Sequence, residues 1–356
     1  MSASADVERA DPVAPNRTGK RTENPRGLAT VLRRDGSRLS GLIIWGLVIL
    51  LFALWIPDKF LTGATFRTIA GGQAITAVLA IALVFPLAAG QFDISAPQNL
   101  GFSAVLVGDL MYKAHLGVAL AIVIAIIIST AVGGVNGFLV TRVGISSVVA
   151  TLGMSSLLLA AAEWLANGQY FGPFPTSFSN LTSPHPLGIP IVAIYVVVFA
   201  IFAWWFLEHS APGRRLHASG ANEQAARLAG VRTGRLIASA FMIAGFGAAI
   251  GGIMLASSVD SSSQTLGPAY LLPSYAGCYL GATQIKPGRF NIWGTLIAIY
   301  LLGTGVEGLQ LTGANLWVTD LFNGAALIGA VSVAVTVEKR RRRRTEQLAS
   351  EEALVS

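Results

Sequence analysis

Apolar residues in this chain come in long runs separated by short polar breaks, instead of alternating with polar positions. A helix needs about 20 such residues to cross a hydrocarbon core of about 30 Å. Runs of suitable character lie near 42–56, 68–89, 97–111, 116–140, 146–166, 191–207, 236–257, 269–282, 291–311 and 316–337. The run at 269–282 is short and carries Gly and Pro, so it either spans or re-enters. The predicted fold class is therefore an all-α polytopic membrane protein of about ten transmembrane helices. Domain organisation follows from the same pattern: a disordered basic tail over 1–40, a membrane domain over 41–337 and a second basic tail over 338–356.

Composition supports this reading. Of the 356 residues, 53% are hydrophobic and 12% charged, against about a quarter charged in soluble domains. The single cysteine, Cys278, excludes an internal disulfide. Net charge is +7, but the basic residues crowd the two tails and the 208–235 loop, which is a membrane-orientation pattern and not a nucleic-acid surface. Ten crossings place both tails and that loop on one side. The loop at 167–190 falls on the other side and holds no Lys, Arg, Asp or Glu. Parity and charge bias agree on cytoplasmic termini. The first 40 residues lack the apolar stretch of a cleavable signal.

Charged residues within the runs are Asp93, Asp109, Glu163, Glu307 and Asp320. Acids at membrane depth face a bundle interior or a cavity. Asp93, in the break GQFDIS at 90–95, either caps a helix and bonds freed backbone groups or lies on a translocation path together with Gln91, Asn99 and Glu307. Glycine pairs four residues apart, Gly133 and Gly137, Gly247 and Gly251, Gly277 and Gly281, permit close helix approach. The four histidines are scattered without metal-ligand spacing, and no G-x-x-x-x-G-K-[ST] stretch is present. No cofactor is expected on this chain, and any ATP-Mg must be held by another polypeptide.

In the 208–235 loop, Ala221, Ala225, Leu228 and Ala229 follow helical spacing and predict a short helix over 221–229. Such a loop either only fixes orientation or carries a contact of its own. GQFDIS at 90–95, VNGFLV at 135–140 and ATLG at 150–153 resemble segments of the permease subunits of ribose-type ABC importers, the simple-sugar branch of binding-protein-dependent transport. So does the pattern at Gly213, Arg214, Ala218, Gly220, Asn222, Ala225, Ala226, Gly230 and Val231. Departures are Gln91 in place of a second glycine, Ala96-Pro97 in place of V-G, Ser147 where a proline is common, and Ala282 with 287–290 in place of a Gly-rich turn.

The resemblance implies a permease bundle that forms a homodimer or pairs with a related subunit. It implies a cytoplasmic ABC ATPase below, an external sugar-binding protein above and a monosaccharide or related polyol as cargo. It also implies that 221–229 is the coupling helix, with Gly220, Asn222, Glu223, Ala225, Ala226, Arg227 and Gly230 at the ATPase contact. A branched-chain amino-acid or nucleoside permease shares this topology. An ion-coupled carrier is the alternative from another class, and it would make Asp93 or Glu307 indispensable.

Overall fold

The structure is a computed structural model that describes residues 28–315, 317–333, 335 and 336. The tail expected at 338–356 and residues 1–27 lie outside the described residues. Residues 28–40, expected as tail, instead open the first helix.

The helices in chain order are α1 (Leu28–Trp55), α2 (Pro57–Phe60), α3 (Gly63–Gly72), α4 (Ala74–Ala88), α5 (Ala96–Tyr112), α6 (Val118–Phe138), α7 (Ser147–Ala166), α8 (Thr176–Ser179), α9 (Ile191–His209), α10 (Ala211–Ala221), α11 (Glu223–Leu228), α12 (Thr233–Val259), α13 (Leu271–Ala282) and α14 (Ile292–Leu311). A last helix, α15, covers Trp317–Val333. Among the described residues, six helical segments are long and apolar enough to cross a membrane, beginning with α3–α4 joined as Gly63–Ala88. The stretches Gly41–Trp55 and Trp317–Val333 are shorter apolar helices. This is a polytopic helical membrane protein.

Helix α4 is the centre of the bundle. Its sequence has no polar face, and every residue from Ala74 to Ala88 is buried, as expected for a helix that is apolar all round and surrounded by others. Helices α12, α13, α14 and α9 pack on it, while α12 also runs along α5 and α6. Close approach of α12 to α6 depends on Gly133 and Gly137, where a methyl group would strike Phe241 and Ala238 of α12. The outer faces of α6, α7 and α9 expose residues such as Ile127, Leu157 and Phe202, a surface suited to lipid tails.

The two ends of the bundle differ in chemistry. At one end, the loop between α7 and α9 closes over α5 and α12. Asp260, in the left-handed conformation, accepts hydrogen bonds from the Phe174 N–H at 3.1 Å and the Ser179 hydroxyl at 2.6 Å. Ser257 donates to the Phe178 carbonyl at 2.8 Å. The other end carries Arg142, the 210–235 loop, Lys286 and Arg289. There Lys286 and Glu208 form an ion pair at 2.6 Å, joining the α13–α14 turn to the end of α9.

Candidate functional site

Between α4 and α5 the chain leaves helical geometry for the length of the 90–95 segment. Pro86 sits in the last turn of α4 and cannot donate to the helix ladder. Gly90 then takes φ 73, the left-handed turn that ends helices. Pro97 lies in the first turn of α5, where a missing N–H costs nothing. The free N–H groups between these points lie inside the bundle and need acceptors.

The acceptors come from α7, from α13 and from the break itself. The Phe92 N–H donates to Ser147 Oγ at 3.2 Å and the Ile94 N–H to Thr151 Oγ1 at 3.1 Å, both on α7. The Asp93 N–H donates to the Tyr275 hydroxyl of α13 at 3.1 Å. Asp93 Oδ1 accepts from the Ser95 N–H at 3.1 Å and from Ser95 Oγ at 2.6 Å. Asn136 of α6 in turn donates to Ser95 Oγ at 2.8 Å. Asp93 is only 1% exposed.

Thus the three separate segments at 90–95, 135–140 and 150–153 meet at one point, each supplying a polar group to the same break. The sequence reading of Asp93 left two roles open; here its carboxylate bonds a freed backbone N–H of the break, that of Ser95, while the N-cap position of α5 is Ser95 itself. Ser147, noted only as a departure from proline, supplies an acceptor that proline lacks. Tyr275 was missed because it lies 182 positions from Asp93 in a run read only for its glycines.

Of the other residues expected on a path, Gln91 lies in the break and Asn99 one turn beyond Ser95, whereas Glu307 is elsewhere. Asn99 is buried and donates to the Ser129 carbonyl at 3.0 Å, joining α5 to α6. Gln91 is half-buried at the turn after α4. Glu307 is half-buried near the far end of α14, four residues before Leu311, at the opposite end of the bundle from the break. Asp109 pairs with Lys113 at 3.2 Å, and Glu163 and Asp320 are exposed. Among the described residues no group of three or more His, Cys, Asp or Glu is placed to hold a metal.

Beneath the break lies the arginine-rich loop. The helix expected over 221–229 is in fact two helices divided at Asn222, whose extended backbone ends α10 and whose Oδ1 caps α11 by accepting from the Ala225 N–H at 3.0 Å. Gly230, at φ 79, closes α11. Its N–H donates to the Arg227 carbonyl at 2.9 Å and that of Val231 to the Ala226 carbonyl at 3.0 Å, the paired bonds of a glycine-terminated helix.

This division moves the expected faces. Ala221 belongs to α10, and Ala226, expected on a contact face, is turned inward at 7% exposure. Ala225, Leu228 and Ala229 face outward, with Leu228 91% exposed. Glu223 and Arg227 bond each other at 2.5 Å, and Arg227 Nε donates to Thr233 Oγ1 at 2.9 Å, so α11 is tied to the start of α12. Gly220, at the end of α10, sits directly on α4: a methyl group there would run into the Ala88 carbonyl.

A family model described as "Branched-chain amino acid transport system / permease component" matches residues 65–331. The chain belongs to this permease family. It is 30% identical over 263 residues to the autoinducer 2 import system permease protein LsrD of Photorhabdus luminescens, covering 71% of this chain and 78% of that one. Against the protein of the same name from Yersinia enterocolitica it is 27% identical over 257 residues, covering 70% of this chain and 77% of the relative. No solved structure matches it. The matched region contains the break, its capping groups and the 208–235 loop, so the permease has both features within its family core. As the resemblance implied, it is a transmembrane permease subunit of an ABC importer.

Proposed function

We propose that this permease carries a monosaccharide or related polyol inward, and that α11 is the point at which a separate ABC ATPase drives it. The observation behind the coupling role is the position of α11. It is capped at both ends, is fixed to α12 through Glu223, Arg227 and Thr233, and presents an unpaired apolar face led by Leu228. An exposed leucine beside small alanines suits a shallow groove on a partner. Force applied there passes by α10 and Gly220 to the end of α4, next to the break. Rigid-body tilting needs such a contact.

In this reading the bundle crosses the membrane ten times, with α5, α13, Gly41–Trp55 and α15 as the shorter crossings. The arginine-rich end is cytoplasmic, and the closed 167–190 loop faces an external binding protein. The domain boundaries at 41–337 follow the same logic. A homodimer or a pair with a related subunit frames the path. The relatives' names give autoinducer 2 as cargo, and the motifs resemble the simple-sugar branch. Family membership favours this over an ion-coupled carrier, and the polar bonds that hold Asp93 give it a role without ion coupling.

The family description names branched-chain amino acids, so leucine belongs in the same assay as sugars. Proteoliposomes holding the permease, its ATPase and its binding protein are expected to take up labelled sugar only with ATP inside the cytoplasmic compartment. Uptake driven by an ion gradient without ATP would overturn the assignment, and leucine uptake without sugar uptake would replace the cargo.

A further inference from the structure

Beside the coupling loop is a cleft of about 560 Å³ between the end of α6 and the start of α12. Four arginines line it, Arg142, Arg227, Arg232 and Arg235. Arg227 is engaged by Glu223, whereas Arg142, Arg232 and Arg235 are in no ion pair among the described residues. Helix α6 reaches the cleft through a π-helical turn, Leu139–Val143, that carries Arg142. Helix α12 starts there at Arg232 without a side-chain cap, so the positive end of a 27-residue helix adds to the arginine field.

The inner wall is of a different character. Gly134, Phe138 and Ala238 line it, and Phe138 is 57% exposed. The adjoining face of α6 exposes Val135 and Ile127 and continues as the apolar surface of the bundle. A cationic mouth therefore opens onto an apolar wall at the end of a spanning helix. A soluble anion would use only the first of these features, whereas a lipid uses both.

We propose that this cleft binds the headgroup phosphate of an anionic phospholipid, with the acyl chains running down the exposed face of α6. Guanidinium groups match phosphate oxygens in bidentate geometry, and basic recesses between membrane helices select anionic headgroups. Of the three elements that would hold the lipid, α6, α11 and α12, it is α11, fixed to α12, that also carries the proposed coupling contact. The inference rests only on the chain being embedded in a bilayer, and stands whether or not α11 meets an ATPase.

The test uses the purified full chain in a neutral detergent, titrated with phosphatidylglycerol, phosphatidylcholine or inorganic phosphate while thermal unfolding is followed. Phosphatidylglycerol is expected to raise the unfolding temperature by about 3 °C or more, with phosphatidylcholine and phosphate giving little. The double substitution Arg142→Gln and Arg235→Gln is expected to weaken this response at least about tenfold in lipid concentration, one lost charge-assisted contact being worth about that much. Arg215→Gln, outside the cleft, is expected to keep it.

Should the double variant not fold, the wild-type response is read against salt, and it is expected to fall as NaCl rises. An equal response to phosphatidylcholine, or a salt-independent one, would overturn the proposal. A full response to phosphate alone would make this a free-anion site instead. An unchanged lipid response in the double variant together with lost ATPase retention would make the cleft a partner surface.

Discussion

Asp93 is held among apolar helices by bonds that begin two residues away at Ser95 and extend through Asn136 to α6. Replacing it with alanine leaves the Ser95 N–H and hydroxyl without their acceptor, at a cost of about 1–3 kcal/mol for each buried group left unpaired. Asp93→Ala is therefore expected to lower the thermal stability of the detergent-solubilised chain by several degrees, and Asp93→Asn to recover most of it, because the amide oxygen still accepts. Equal loss in both variants would point to a role for the charge itself.

His217, on α10 outside the spanning helices, gives a second test at this scale. Burial lowers its pKa to about 4, with Arg289 and Lys286 adding to the effect and Glu208 opposing it. Its folded value lies below the ordinary 6.5, so the unfolded chain binds a proton first as pH falls. Stability from this group is full above about pH 6.5 and declines from there toward pH 4. Chemical denaturation of His217→Gln is expected to show a shallower decline over that interval than the wild type. The residue types at the break were legible in sequence, with polar groups in each of three short segments. Their meeting point was not, because Tyr275 and Asp93 are brought together only by the packing of α13 on α4.

At the scale of elements, α11 shows what periodicity reads well and what it misses. The spacing of Ala221, Ala225, Leu228 and Ala229 gave a helix in the right place. It did not give the interruption, because Asn222 is both a tolerated helical residue and a strong N-cap, and only the backbone decides between these. Since the interruption turns Ala226 inward, the docking proposed for α11 would rest on Ala225 and Leu228. Leu228→Asp is expected to reduce retention of the ATPase at least about tenfold, the order of effect of charging an apolar interface residue. Gly220→Val is expected to behave differently. The bulk it adds strikes the Ala88 carbonyl, which separates α10 from α4, so ATPase retention is kept while ATP-driven uptake falls. Joint loss of both properties would mean that Gly220 acts through folding of the loop.

For the molecule as a whole, the order of apolar runs conveyed the helical membrane class, and the helices occupy nearly the same positions. The pairing of helices was less accessible, because an all-apolar helix such as α4 gives no face to assign. Its burial follows from α12, α13 and α9 closing on it from different sides. The lone Cys278 is fully buried, so introduced cysteines can report topology without a background surface thiol. Ser183→Cys is expected to react with an impermeant reagent from outside intact cells and Ala229→Cys only after the membrane is opened; the reverse pattern would invert the orientation.

The coupling role of α11 is tested most directly by ATP-driven uptake in proteoliposomes carrying Ala225→Trp, with unfolding temperature and binding-protein affinity measured on the same preparation. Uptake is expected to fall at least about tenfold, as for loss of a central interface contact, with the other two properties unchanged. Wild-type uptake in the presence of the tryptophan would contradict the assignment of α11 as the site where the ATPase engages the bundle.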